Sequence, residues 1–272
     1  MTKIDGSQNQ IVNVWSNDNS YEDHDQVARE VPIAIVYNGI SHAVMMGTPN
    51  DFEVFALGFS LSERIVKTIR DIQNLEVNER DLGFEINLHI SNRCFAALKE
   101  RRRNLMGRTG CGICGLESLE QVNFPSSLVS SHCELSHVAI DSAVKQIQEY
   151  QPLQDVTGAV HGAAWCDRDG NILKLLEDVG RHNALDKLIG TLARSHNLKT
   201  QELSKGFVLV SSRASYEMVQ KVAISNISLL VAVSAPTSLA IRLANETGVT
   251  LVGFARDGRH ICYANSKRLK LV

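Results

Sequence analysis

No run in this 272-residue sequence approaches the ~18 consecutive apolar residues that a membrane-spanning helix needs. The opening stretch MTKIDGSQNQIVNVWSNDNS holds neither an apolar h-region nor a small-residue cleavage site, so the expected compartment is the cytosol. An excess of charge is also missing: 28 Lys plus Arg stand against 30 Asp plus Glu, a formal net charge of −2. That balance excludes broad attraction to nucleic acid or to a membrane surface, and any anion site must be local. Internal repeats and low-complexity tracts are absent. So is a disulfide framework, because the 6 Cys are scattered over the whole length and a reducing cytosol keeps such thiols unpaired.

What is present is a globular composition. Hydrophobic residues make up 44% of the chain, ample for a core in one large domain or two modest ones. Residues 1–30, rich in Asn, Asp, Gln and Ser, read as a flexible or loosely attached tail. A small α+β part follows over 31–107. There VPIAIVYN and ISHAVMMG flank Asn38-Gly39, whose tolerance of positive φ predicts a two-residue hairpin. Thr48-Pro49, backed by Asp51 and Glu53, predicts the capped start of a helix to about Ile65. GFEINLHI alternates as a strand, and SNRCFAALKERRRNLMG reads as a helix ending at Gly107. Residues 108–134 read as a mobile connection.

From 135 to 272 the pattern predicts an α/β unit. HVAIDSAVKQIQEY is a helix, TGAVHGAAW a short helix, DRDG a turn and NILKLLE a strand. Helices beginning at GRHNALDK, SYEMVQKV and TSLAIRLA then alternate with strands GFVLVSS, SLLVAVSA and VTLVGFA, and HICYAN closes a hairpin at Asp257-Gly258. Fully apolar strands separated by helices predict a parallel sheet covered on both faces.

The chemistry concentrates in RRRNLMGRTGCGICGLE. Cys111 and Cys114 sit three positions apart among Gly107, Gly110, Gly112 and Gly115, where backbone N–H groups can turn toward the sulfurs. Arg101, Arg102, Arg103 and Arg108 supply positive charge nearby, which favours the nucleophilic thiolate. A structural zinc site wants four ligands, and a second spaced pair is missing. A thioredoxin-like dithiol normally opens a helix after a strand, whereas this one follows an Arg-rich helix. The remaining reading is an accessible thiol that accepts a group and carries it. Cys94, Cys166 and Cys262 have apolar neighbours and read as packing residues. Cys133, with His132 and His137 close by, offers a conceivable metal cluster.

Together, GCGICG, TGAVHGAAW, EDVGRHNALDKLIG, SSRASYEMVQKV, SAPTSLAI and TLVGFARDGR resemble the FdhD family of sulfur-carrier proteins over nearly all the chain after residue 30. The resemblance implies a cytidine-deaminase-like three-layer core in the C-terminal half and a homodimer. It implies transfer of sulfur from a cysteine desulfurase to the molybdenum bis-molybdopterin guanine dinucleotide cofactor of formate dehydrogenase, with GDP as a mimic of that client. It places the persulfide on Cys111, leaves open whether Cys114 assists release or shares the sulfur, and places the cofactor-binding stretch on Phe254, Ala255, Arg256, Asp257, Gly258 and Arg259.

Two competing classes remain. One is a non-catalytic cofactor-binding chaperone. The other is a zinc-dependent deaminase-like hydrolase, which needs His-x-Glu and a later Pro-Cys-x-x-Cys. His161 is followed by Gly162 and Ala163, and the CxxC comes before it, so that pattern is broken twice; His161 reads as an interior histidine, with a cofactor or sulfur-handling role as the sharper alternative. Local anion sites are also legible. Asp178 caps a helix carrying Arg181 and His182 in its first turn, where donors and charge converge. Ser211, Ser212 and Arg213 follow a strand, as Ser234 to Thr237 do, at the ends where open α/β sheets bind ligands. Ser and Thr at such turns are also ordinary helix caps.

Overall fold

The computed structural model describes residues 4–17, 19–106, 128–196, 198 and 200–271. It begins with an antiparallel ribbon of β1 (Ser7–Ser16) and β2 (Asn19–Ala28), so the segment expected to be a loose tail is paired along its length. Composition hid it because most of its side chains are exposed, leaving no apolar periodicity to read. A front sheet follows, from β3 (Val31–Tyr37), β4 (Ile40–Gly47), β5 (Ile72–Arg80) and β6 (Gly83–Ile90) in the order β4-β3-β6-β5. The β3–β4 turn places Asn38 at φ 47° and Gly39 at φ 79°, the double positive φ that Asn-Gly predicted.

Helix α1 (Phe52–Ser62) and helix α2 (Asn92–Met106) complete the front. Thr48 does not cap α1. Its N–H donates to Asp178 Oδ2 at 3.1 Å and its hydroxyl accepts from Val179 N at 3.1 Å, while Asp51 occupies the cap position at φ 54°.

The back unit contains β7 (Leu135–Ser136), α3 (His137–Gln146), α4 (Pro152–Thr157), β8 (His161–Asp167), β9 (Ile172–Asp178), α5 (Arg181–His196), α6 (Thr200–Leu203), β10 (Gly206–Val210), α7 (Tyr216–Ile224), β11 (Leu229–Ala232), α8 (Ser238–Thr247), β12 (Thr250–Arg256), β13 (Arg259–Ala264) and β14 (Leu269–Lys270). Its six-stranded sheet runs β13-β12-β11-β10-β8-β9, and β14 pairs with β7 separately. The sheet is mixed, not parallel: β10, β11 and β12 are mutually parallel, whereas β8, β9 and β13 join their neighbours antiparallel. Tight turns at Asp167–Gly170 and Asp257-Gly258 reverse the chain; only the crossovers through α7 and α8 return neighbouring strands parallel.

The segment HGAAW, expected to be helical, is the strand β8. Its small residues are buried on both faces, a pattern without the polar alternation that marks a strand. Ala163 and Trp165 face one core with α5, α7 and α8, while Ala164 and Cys166 face the other with α3. The layers are therefore α3, the sheet, then three helices. The larger core continues into the front sheet through Ile33, Ile35, Ile86 and Leu88. Antiparallel packing of α1 on α5 makes that continuity possible, because a Cβ on Gly58 would lie 1.7 Å from Asp186 O and one on Gly190 1.9 Å from Val54 O.

Beneath this crossing lie two buried ion networks. Lys187 Nζ meets Asp178 Oδ2 at 2.8 Å, each side chain 1% exposed. Lys221 Nζ meets Asp186 Oδ2 at 3.0 Å and Glu63 Oε1 at 2.9 Å. Among the described residues no helix is long and apolar enough to cross a membrane.

Candidate functional site

Because β10, β11 and β12 are parallel and β8 runs against them, one end of the sheet collects five chain segments. In order they are the end of β12, the turn after β11, the turn after β10, the start of β8 at His161, and the end of β9 leading into α5. Four inter-strand steps make this edge about 19 Å long. Sequence reasoning named residues on four of these segments as ligand candidates, and the structure brings them to this common edge.

Arg181 and His182 begin α5 and are half-buried. Asp178, expected to cap that helix, accepts from Gly180 N at 2.8 Å and from Asn183 Nδ2 at 2.9 Å. Its other oxygen is taken by Lys187 and by the Thr48 N–H, so Asp178 positions the turn and offers nothing to a ligand. His182 Nε2 lies 2.9 Å from Glu217 Oε2 in the first turn of α7. That contact, with the Arg181 charge nearby, holds the Glu217 carboxyl below its usual range. His161 is half-buried; burial first, then the charges of Arg181 and His182, push its pKa down and keep its ring neutral at physiological pH.

Ser211 is the joint between β10 and β8. Its Oγ accepts from Gly162 N at 2.8 Å and its N–H donates to Gly162 O at 3.0 Å, which fixes the hydroxyl in place and leaves its proton as the donor for a ligand. Ser212, 5% exposed, donates its hydroxyl to Arg213 O at 3.1 Å and is a turn residue. Arg213 is exposed, without a side-chain partner among the described residues. The turns after β10 and β11 are clamped together by Ala214 N to Ala235 O at 3.2 Å and Thr237 N to Ala214 O at 3.1 Å. Thr237 caps α8 through Ala240 N, as expected of Thr in such a turn.

Phe254 sits at φ 48° beside a register shift in the β12–β13 pair, and its N–H donates to Ser234 O at 3.1 Å. The bulge carries the chain from buried Ala255 to exposed Arg256, Asp257, Gly258 and Arg259. Asp257 pairs with Lys145 of α3 at 2.8 Å, which leaves the two arginines as the net charge of the hairpin. Glu217 and Lys145 escaped sequence reasoning: an acid in a helix's first turn and a lysine in its last read as ordinary dipole partners.

Cys111 and Cys114 lie outside the described residues. Among the described residues that follow them, the Ser130 and Ser131 N–H groups donate to Asn226 Oδ1 at 2.8 and 3.3 Å, just before β11 begins. That is the end of the sheet opposite to His161 and Arg256. Cys133 is fully buried, its thiol donates to Glu134 O at 3.7 Å, and burial raises its pKa. His132 turns to Glu134 and His137 to His260, so the conceivable cluster is not assembled. Among the described residues no group of three or more His, Cys, Asp or Glu could hold a metal ion. Cys94 and Cys166 are buried and Cys262 half-buried, as packing residues are.

Comparison with known proteins agrees over almost the whole chain. Residues 28–270 match the profile of the FdhD/NarQ family. A protein named sulfur carrier protein FdhD from Cupriavidus necator is 53% identical over 246 residues, covering 90% of this chain and 84% of its own. The protein of that name from Acinetobacter baylyi is 51% identical over 243 residues, covering 89% and 87%. A crystal structure from Desulfotalea psychrophila, titled as a formate dehydrogenase accessory protein, superposes with a TM-score of 0.73 at 26% identity, over 97% of this chain and 99% of that one.

Proposed function

The chain belongs to the FdhD/NarQ family, and from that premise we propose that it is a cytosolic sulfur carrier accessory to formate dehydrogenase. Cys111 receives sulfur as a persulfide from a cysteine desulfurase, and the collecting edge of the sheet holds the molybdenum bis-molybdopterin guanine dinucleotide that takes it. The observation that carries the cofactor half is the line of donors along that edge. Arg181, the turn Ser211 to Arg213 and the hairpin Arg256 to Arg259 are spread over about 19 Å, a length suited to an extended dinucleotide rather than to one phosphate.

The sulfur half rests on the motif and its chemistry. The Cys111 thiolate attacks the outer sulfur of the donor persulfide, the donor's S–S bond breaks, and the donor leaves as thiolate. When an electron pair of the acceptor attacks the terminal sulfur, the S–S bond breaks and Cys111 leaves as thiolate. Attack by Cys114 on the inner sulfur would instead expel hydrosulfide and leave a Cys111–Cys114 disulfide for a reductant to open. A homodimer, which the resemblance implies, would present two such edges.

The test is titration with GDP together with formate dehydrogenase activity in cells lacking their own copy of the protein. Arg213→Ala and Arg256→Ala are expected to weaken GDP binding about tenfold each, and Cys111→Ala to abolish activity while GDP still binds. Activity that survives Cys111→Ala would favour a binding chaperone whose thiols take no part.

A further inference from the structure

At the opposite end of the sheet a cavity of about 670 Å³ opens between the C-terminal ends of α1 and α7. Its floor is apolar, with Leu61 and Ile224 from the two helices and Ile69 between them. Three cations line it: Arg64, Lys67 and Arg70, all exposed and none with a side-chain partner among the described residues. The carboxylates nearest in sequence are engaged elsewhere. Glu63 pairs with Lys221, and Asp71 accepts from the N–H groups of Lys67 and Thr68 and meets Arg93. On the far wall Ser225, 4% exposed, buries a hydroxyl that has no hydrogen-bond partner among the described residues.

The backbone around this cavity is committed. Ile65 N donates to Ser60 O at 2.9 Å and Arg64 N to Leu61 O at 3.0 Å, a paired C-terminal cap that puts Arg64 at φ 55°. The same two bonds, from Ile227 N to Val222 O and from Asn226 N to Ala223 O, end α7 with Asn226 at φ 58°. Glycine fills that capping position most easily, and arginine is a strained choice for it. Basic residues past a helix end also complement its dipole, but proximity alone meets that need without a cavity among them.

We propose that this cavity binds a phosphorylated small molecule with a compact apolar or aromatic body. The volume falls within the range of small-molecule sites, the floor takes the body, and the unneutralised cations take the phosphate. Three cations in a chain of net charge −2 suit one small anion and not a nucleic-acid backbone. The site is separate from the edge that carries Arg213 and Arg256.

The test uses the full chain and 1-naphthyl phosphate as probe, followed by calorimetry, with inorganic phosphate and 1-naphthol as the half-probes. Naphthyl phosphate is expected to bind, and each half-probe at least tenfold more weakly. Arg64→Gly, which suits the capping position and keeps or raises thermal stability, and Arg70→Ala are each expected to weaken the probe about tenfold; Arg213→Ala leaves it unchanged. No binding to the wild type, or equal binding to the Arg64→Gly and Arg70→Ala chains, overturns the proposal. Inorganic phosphate binding as tightly as the probe overturns the apolar-body half of it.

Discussion

Replacing Asp178 by Ala should be among the costliest single changes in this fold. The carboxylate is fully buried and meets Lys187 Nζ at 2.8 Å, the Thr48 N–H at 3.1 Å, the Gly180 N–H at 2.8 Å and Asn183 Nδ2 at 2.9 Å. Removing one partner of a buried pair costs about 3–5 kcal/mol, because the remaining charge stays buried without compensation. Lys187 keeps Asn50 Oδ1 and Glu177 O as acceptors, which offsets part of that loss, while the Thr48 and Gly180 N–H groups lose theirs and Asn183 Nδ2 keeps only Met46 O. A net loss of about 4 kcal/mol lowers the melting temperature by roughly 8–16 °C for a chain of this size. Scanning calorimetry and urea unfolding would measure it. Asp178→Ala/Lys187→Met removes the stranded charge and is expected to recover at least half of the loss. GDP binding should stay weakened in both variants, since Gly180 and Asn183 no longer fix the first turn of α5. A cost below about 1 kcal/mol for Asp178→Ala, the level of an exposed pair, would refute this reasoning.

Gly58→Ala has two opposed effects: alanine favours a helix interior by about 1 kcal/mol, but its Cβ would lie 1.7 Å from Asp186 O. Overpacking of that kind costs about 1–3 kcal/mol and more when backbone is the obstacle, so thermal melting is expected to fall, and a rise would contradict the α1–α5 contact. A pH effect has a definite sign. Burial, then Arg181 and His182, place the His161 pKa below its ordinary 6.5, so the unfolded chain takes up that proton more readily. The contribution is neutral above pH 6.5 and turns unfavourable as pH falls below it. Urea midpoints between about pH 7.5 and about pH 5.5 should therefore drop more for the wild type than for His161→Gln, and equal slopes would show that His161 is not shifted.

Most of the back unit was legible because its strands are apolar runs bounded by turn signals, and Asn38-Gly39 and Asp257-Gly258 named their own hairpins. The failures share one cause: they are places where burial does not follow the usual pattern. β8 is buried on both faces with Ala and Gly, so it carries no alternation, and β1–β2 is paired while most of its side chains are exposed. The direction of β8 could not be read either, since antiparallel pairing between β8 and β10 is decided by sheet order and not by either strand alone. At the site, arginines and serines after strand ends were visible as anion donors. That Asp178 would be spent on a buried lysine, and Ser211 on Gly162, depends on residues 9 and 49 positions away and leaves no local mark. The cavity beside Arg64 was invisible for the same reason, because its walls come from segments about 160 residues apart.

The central claim is that Cys111 carries sulfur. Intact and peptide mass spectrometry after incubation with a cysteine desulfurase and cysteine, before and after a reductant, tests it most directly when wild type is set beside Cys111→Ala and Cys114→Ala. The account predicts one reductant-sensitive sulfur on the peptide containing Cys111, retained in Cys114→Ala and absent in Cys111→Ala. An unmodified wild-type peptide, or sulfur that persists in Cys111→Ala, would contradict it.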